Sequence, residues 1–285
     1  MASQTGPLTE EAINQPQPTL QIPRFSVMGT HAHAIGRRQT TEVLSGFLRD
    51  RKPRHIVTIN VDFLHQANSS PAFKQLLNGA DLALLDGKPL VWAARYLGFS
   101  HSERVTGPDL IDACAELSST EGHRIFFLGG ADGVAAEAKT LIEQRYPGVV
   151  ICGAYSPPPA DYPLPREIDD EIVMRIRDAQ PDILFVAFGC PKQELWIRDH
   201  ADQLGVTIAA GIGGSFNFIT GSTPRAPRLM QNMGLEWVYR LYLEPKRLWR
   251  RYLCADLPLV LKLAALEALG RIPLFRRSVI EVVSY

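Results

Sequence analysis

The sequence predicts an α/β fold: a mainly parallel sheet with helices on both faces, followed by a helical C-terminal appendage. Three observations carry this. From Phe25 to about Gly221, short apolar runs alternate with segments of helical spacing, the pattern of a parallel sheet whose crossovers are helices. Glycine-bearing turns follow several of those runs directly. Near Thr223 the alternation stops, and the remainder is broken by Pro245, Pro258 and Pro273.

In chain order, residues 1–23 carry Pro7, Pro16, Pro18 and Pro23 among polar residues and are expected to form a disordered leader. Strands are predicted at 25–28, 55–60, 82–85, 124–128, 149–152, 183–188 and 207–210, each a short apolar run. Segments 39–49, 109–117, 133–144 and 167–179 have apolar residues at helical spacing. The α/β unit is placed at 24–223 and the appendage at 224–285.

Composition narrows the class. With 285 residues, 46% hydrophobic and 21% charged, the chain has the make-up of a soluble globular protein. Its formal net charge is zero, so attraction to phosphate or membrane must be local, and no nucleic-acid partner is expected. The four cysteines (Cys114, Cys152, Cys190, Cys254) form no CxxC pair, which argues against a zinc knot or disulfide scaffold and fits a reducing cytoplasm. The N-terminus lacks signal-peptide character, and no apolar run reaches the ~18 residues of a membrane-spanning helix.

The most informative segment is DILFVAFGCPKQEL (182–195). Its apolar run reads as a buried strand, Gly189 turns the chain, and Pro191 suits the first turn of a helix. Lys192, Gln193 and Glu194 therefore stand at a helix N-terminus at the carboxyl end of a strand, where open α/β sheets bind ligands. Asp86-Gly87 closes another strand, and Asp86 is read as a general base or as a turn and helix-cap residue. Thr58 and Asn60 end a third strand and point to one face by period two. Gly129-Gly130 and the stretch GIGGSFN (211–217), with Gly213, Gly214, Ser215 and Asn217, open two more turns able to cradle a diphosphate.

Metal ligation finds little support. His31 and His33 alternate on a segment read as a solvated loop, there is no DxD pair, and Asp169-Asp170-Glu171 suits a helix start. The tail is more telling. Between Arg225 and Tyr252 seven cations (Arg225, Arg228, Arg240, Lys246, Arg247, Arg250, Arg251) face two anions (Glu236, Glu244), a local excess of five. On a helical wheel Arg247, Arg250 and Arg251 share one face, opposite Leu248, Trp249, Tyr252 and Leu253. Such a helix suits an anionic membrane surface, a diphosphate, or a solvated face above packed aromatics.

With those residues in place, the chain resembles the WecG/TagA/CpsF glycosyltransferase family from about Phe25 to Tyr252. The matching pieces are T-I-N (58–60), L-L-D-G (84–87), E-R-V-T-G-P-D (103–109), F-L-G-G (127–130), F-G-C-P-K-Q-E (188–194), G-I-G-G-S-F (211–216), G-S-T-P-R-A-P (221–227), G-L-E-W-V-Y-R (234–240) and E-P-K-R-L-W-R-R-Y (244–252).

The resemblance implies a Rossmann-like domain with a helical appendage that docks at the inner face of the cytoplasmic membrane. It implies an inverting enzyme moving a sugar from UDP to a polyprenyl-diphosphate-linked acceptor sugar in surface polysaccharide synthesis. The sugar is N-acetylmannosamine, its uronic acid or a hexose such as glucose. No cofactor or metal is implied, and a homo-oligomer is allowed.

By the same resemblance, Asp86 is the general base and Thr58 and Asn60 position sugar, with Gly87 beside them. Arg104 and Asp109 line the pocket, and Gln193 and Glu194 hold the sugar or uridine. The glycines at 129, 130, 189, 213 and 214, with Arg225, complete the binding set. Arg240, Arg247 and Arg250 stabilise the leaving diphosphate. Many members carry an acidic residue where this chain has Asn217, and Cys190 is given no role. The competing readings are a dinucleotide-dependent oxidoreductase, which lacks GxGxxG with an acidic residue ~20 positions on, and a non-catalytic assembly protein at the membrane surface.

Overall fold

The computed structural model describes residues 21–224, 226, 227, 230, 236–243, 245–249 and 281–284. The chain enters as an antiparallel hairpin, β1 (Gln21–Val27) and β2 (Thr30–His33), with Phe25 opposite Ala32. Helix α1 (Arg37–Asp50) leads to β3 (Arg54–Ile59), α2 (Val61–Ser69), α3 (Pro71–Asn78), β4 (Leu82–Leu85), α4 (Lys88–Tyr96) and α5 (Gly107–Glu121). Then come β5 (Arg124–Gly129), α6 (Val134–Arg145), β6 (Val150–Tyr155), α7 (Arg166–Ala179), β7 (Ile183–Ala187), α8 (Lys192–Leu204), β8 (Ile208–Gly211) and α9 (Ser215–Ile219). Among the described residues of the tail, helices α10 (Glu236–Leu243) and α11 (Pro245–Trp249) precede β9 (Glu281–Ser284).

Six strands form one parallel sheet in the order β4-β3-β8-β7-β5-β6, as the alternation predicted. Each begins within one residue of its predicted start. Period-two packing decides which helices cover which face. Ile56, Leu82, Leu84, Ile125, Phe127, Ile183, Phe185, Ile208 and Ala210 meet α1, α5, α6 and α9 on one face. On the other, Phe126, Leu128, Leu184 and Val186 meet α7 and α8, while Val57, Ile59, Ala83 and Leu85 meet α2, α3, α4 and the hairpin. These side chains are almost fully buried, and each Val, Leu, Ile and Phe among them contributes about 1.5–3 kcal/mol of apolar transfer.

The connections of neighbouring strands diverge at several places along the carboxyl edge. After β5 the chain passes to α6 on one face, and after β7 to α8 on the other; β3 and β8 part in the same way towards α2 and α9. Such switch points are where open α/β sheets hold ligands.

Several expectations are corrected. β1 begins at Gln21, so the last three residues of the segment read as a disordered leader are sheet. Pro23 misled because it cannot donate to a ladder, yet its carbonyl accepts from the Ala34 N–H at 2.9 Å. His31 and His33 lie on strand β2, not on a solvated loop. His33 is buried and its Nδ1 accepts from the Ala83 N–H at 2.9 Å, fastening the hairpin to β4. Residues 281–284, read as part of a helical tail, form β9 and pair with β1, setting Ile22 opposite Val283. Among the described residues, no helix is long and apolar enough to cross a membrane.

Candidate active site

The carboxyl ends of β3, β4, β8, β7 and β5 are adjacent, and they bring together most of the residues singled out from sequence. At β3 and β4, Asp86 N–H donates to Ile59 O (2.8 Å) and Val105 N–H to Leu85 O (3.0 Å). Asp86 is half-buried at the mouth of the sheet. Gly87, not Asp86, occupies the N-cap position of α4. A Cβ placed on Gly87 would stand 4.0 Å from Asn60 Cα and Cβ, so the two turns touch. Thr58 is buried one pleat below, and Asn60 Oδ1 caps α2 by accepting from the Phe63 N–H (3.2 Å).

At β7 and β8 the side chains turn inward. Gln193 and Glu194 are almost completely buried. Gln193 Oε1 accepts from Gly189 N–H (3.1 Å) and Gly213 N–H (2.9 Å), and its Nε2 donates to Glu194 Oε1 (2.9 Å). Glu194 Oε2 lies 2.7 Å from His55 Nε2 on β3. The arrangement needs Gly211, because a Cβ there would fall 2.2 Å from Glu194 Oε1 and 2.4 Å from Gln193 Nε2. The resemblance set Gln193 and Glu194 against sugar or uridine; here their polar atoms are taken up by protein, binding the two glycine turns to each other. His55, at the start of a strand, carries no sequence signal of this part and was not foreseen.

Lys192 is directed at the Ala160 carbonyl and stands 5.5 Å from the Phe188 ring, while Ser215 donates to Ile212 O. At β5, Gly129 has φ 100° and no room for a side chain: a Cβ would meet Ala187 O at 2.7 Å. Gly130 N–H donates to the same carbonyl (3.1 Å), drawing the β5 turn onto β7. Gly214 leads into α9, whose Asn217 O accepts from the Thr223 N–H (3.0 Å).

Asp109, which the resemblance places at the pocket, also has a structural part at the start of α5. It forms a capping box with Thr106, Oδ2 accepting from Thr106 N–H (2.9 Å) and Oγ1 (2.6 Å), and its Oδ1 pairs with Arg37 (3.2 Å). Arg104 directly precedes Val105, hence lies beside the end of β4. Arg240 and Arg247 fall within α10 and α11; Arg225 and Arg250 lie outside the described residues. A concavity of about 470 Å³, lined by Arg51, Arg177, Asp182 and Gly205, sits at the amino ends of the strands, the edge opposite Asp86.

Comparison with known proteins decides between the readings. The profile of the glycosyl transferase WecG/TagA/CpsF family matches residues 25–272. The chain belongs to the WecG/TagA/CpsF glycosyltransferase family. It is 31% identical over 230 residues to the N-acetylglucosaminyldiphosphoundecaprenol N-acetyl-beta-D-mannosaminyltransferase of Staphylococcus aureus strain NCTC 8325, covering 80% of this chain and 87% of that one. The protein of the same name from strain MRSA252 shows 31% identity over the same length. As a member of this family the chain is a glycosyltransferase, and the oxidoreductase and scaffold readings are set aside. The family match spans both β1 from Phe25 onward and the tail helices, but it stops before β9.

Proposed function

We propose that this WecG/TagA/CpsF enzyme transfers a sugar, with inversion, from a UDP-sugar to the sugar of a polyprenyl-diphosphate acceptor for surface polysaccharide. N-acetylmannosamine is the first donor sugar to test, and GlcNAc the first acceptor, on the names of the Staphylococcus aureus relatives. The observation that carries the reading is Asp86, half-buried at the end of β4 against the Asn60 turn, at the binding edge of the sheet.

Asp86 takes the proton of the acceptor hydroxyl as that oxygen bonds to the anomeric carbon. The bond from that carbon to the UDP β-phosphate oxygen breaks from the opposite side, and UDP leaves with the electron pair. Thr58 and Asn60 orient the sugars beside it, and Arg104 supplies charge at the β4 mouth. The turns at Gly129-Gly130, Gly189 and Gly213-Gly214 hold the nucleotide diphosphate, and Arg225, Arg240, Arg247 and Arg250 neutralise it as it departs. This chemistry requires no metal and no cofactor. A lipid-linked acceptor brings the enzyme to the inner face of the cytoplasmic membrane, with the basic tail as the contact.

The test is UDP release from a panel of UDP-sugars, in EDTA, with and without a short-chain polyprenyl-diphosphate-GlcNAc. Acceptor-dependent release from one donor, giving a β-linked product, is the expected result. UDP release without dependence on any lipid-linked acceptor, or an α-linked product, overturns it.

A further inference from the structure

The reacting groups stand at β3 and β4, while two of the three glycine turns proposed to hold the donor stand at β7 and β8. Beneath those two turns runs a buried polar chain, ending on β3 at His55, that no part of the transfer chemistry uses. It runs from His55 Nε2 to Glu194 Oε2 (2.7 Å), from Glu194 Oε1 to Gln193 Nε2 (2.9 Å), and from Gln193 Oε1 to the N–H groups of Gly189 and Gly213 (3.1 and 2.9 Å). The orientation of the Gln193 amide follows from its partners, since two backbone N–H groups can be met only by its oxygen. Its nitrogen must then find an acceptor in the interior, and Glu194 Oε1 is that acceptor. The carboxylate itself is wholly buried and needs a second donor, which His55 supplies from β3.

We propose that His55 is a positioning residue for the transfer: through Glu194 it fixes the amide of Gln193 and thereby the spacing of the Gly189 and Gly213 turns. It touches neither substrate nor reacting atoms. Without its donor, Glu194 has reason to draw the Gln193 amide round, and the turns lose the oxygen that pins them together. Binding and turnover should respond unequally, because the groups at β3 and β4 stay in place.

The inference rests on the transfer reaction for its kinetic half only, so two readouts are taken on the full chain. Backbone amide hydrogen exchange at Gly189 and Gly213 is compared among wild type, His55→Leu and His55→Gln. In parallel, KM for the UDP-sugar and kcat are measured for the folded fraction of each. The expected result is that His55→Leu loses protection at both glycines and raises KM about 10-fold or more, with kcat changed less. His55→Gln, which keeps an N–H donor on a side chain of similar reach, restores both. Glu194→Met, which is similar in volume and offers the Gln193 amide no oxygen acceptor, guards against a His55→Leu that fails to fold, and it should show the same loss of protection. Unchanged protection at Gly189 and Gly213 in His55→Leu or Glu194→Met overturns the proposal whatever the substrate proves to be. So does unchanged KM in an active variant, or failure of His55→Gln to restore what His55→Leu loses. Absence of acceptor-dependent transfer in the wild type would instead count against the proposed function and leave the exchange result to stand alone.

Discussion

Asp86, directly after β4, and Glu194, in the first turn of α8, are both carboxylates, and their surroundings differ. Glu194 is sealed inside with two protein donors; Asp86 stands half-buried at the open edge, beside the Asn60 turn. Replacing Asp86 by Asn keeps volume and hydrogen-bonding shape while removing the proton acceptor. Turnover should fall about 10²–10⁴-fold, with UDP affinity and melting temperature held; full activity would remove Asp86 from the base role. At this scale the sequence was informative about place and less so about direction. The strand-turn-helix pattern put Lys192, Gln193 and Glu194 at the binding edge. Whether a side chain there points out to a ligand or in to the next turn depends on the neighbouring strand. That neighbour is β8, and the bare Cα of Gly211 on it makes space for the pair to turn inward.

Among the elements, α5 shows how a motif can have a local explanation. T-G-P-D places Thr106 at the N-cap, Pro108 in the first turn and Asp109 at the third position, the pattern of a capping box. Thr106→Ala should cost about 1 kcal/mol in denaturant unfolding, through the lost cap and a loosened Asp109. Activity should follow only as far as Val105 and Arg104 shift at the β4 end; an unchanged unfolding midpoint would show the cap to be idle. The same elements explain which predictions failed. β3 to β8 were legible because buried parallel strands are continuous apolar runs. β2 was not: four residues, Thr-His-Ala-His, pair only because β1 and β4 present edges to them. α2, α3 and α4 went unread because they are short, and their caps, Asn60, Ser70 and Gly87, are ordinary turn residues out of context.

For the whole molecule, the alternation of strands and helices predicted a parallel sheet, but strand order and the second sheet are matters of long-range pairing that no local pattern encodes. The junction between the two sheets has a titratable group at its centre. Burial, and then the positive charge of Arg24, lower the pKa of His33 to about 4 from 6.5. The neutral ring also keeps the lone pair that receives the Ala83 N–H. In the unfolded chain His33 takes up its proton near pH 6.5, and in the folded chain only near pH 4. The native state is therefore favoured at neutral pH and loses roughly 3 kcal/mol as pH falls through that window. Urea unfolding at pH 7, 5.5 and 4.5 should show this slope in the wild type and not in His33→Gln; parallel slopes would contradict it. The same small sheet has a mechanical side. β9 lies past the family match, and it pairs with Gln21–Arg24, residues that precede the match. The cationic stretch is therefore held to the catalytic unit both where it leaves, after α9, and where it returns, at β1. It is a strap with two buckles rather than a line with one: its far end is tied back to β1, and β1, through β2 and His33, to the strand that Asp86 follows.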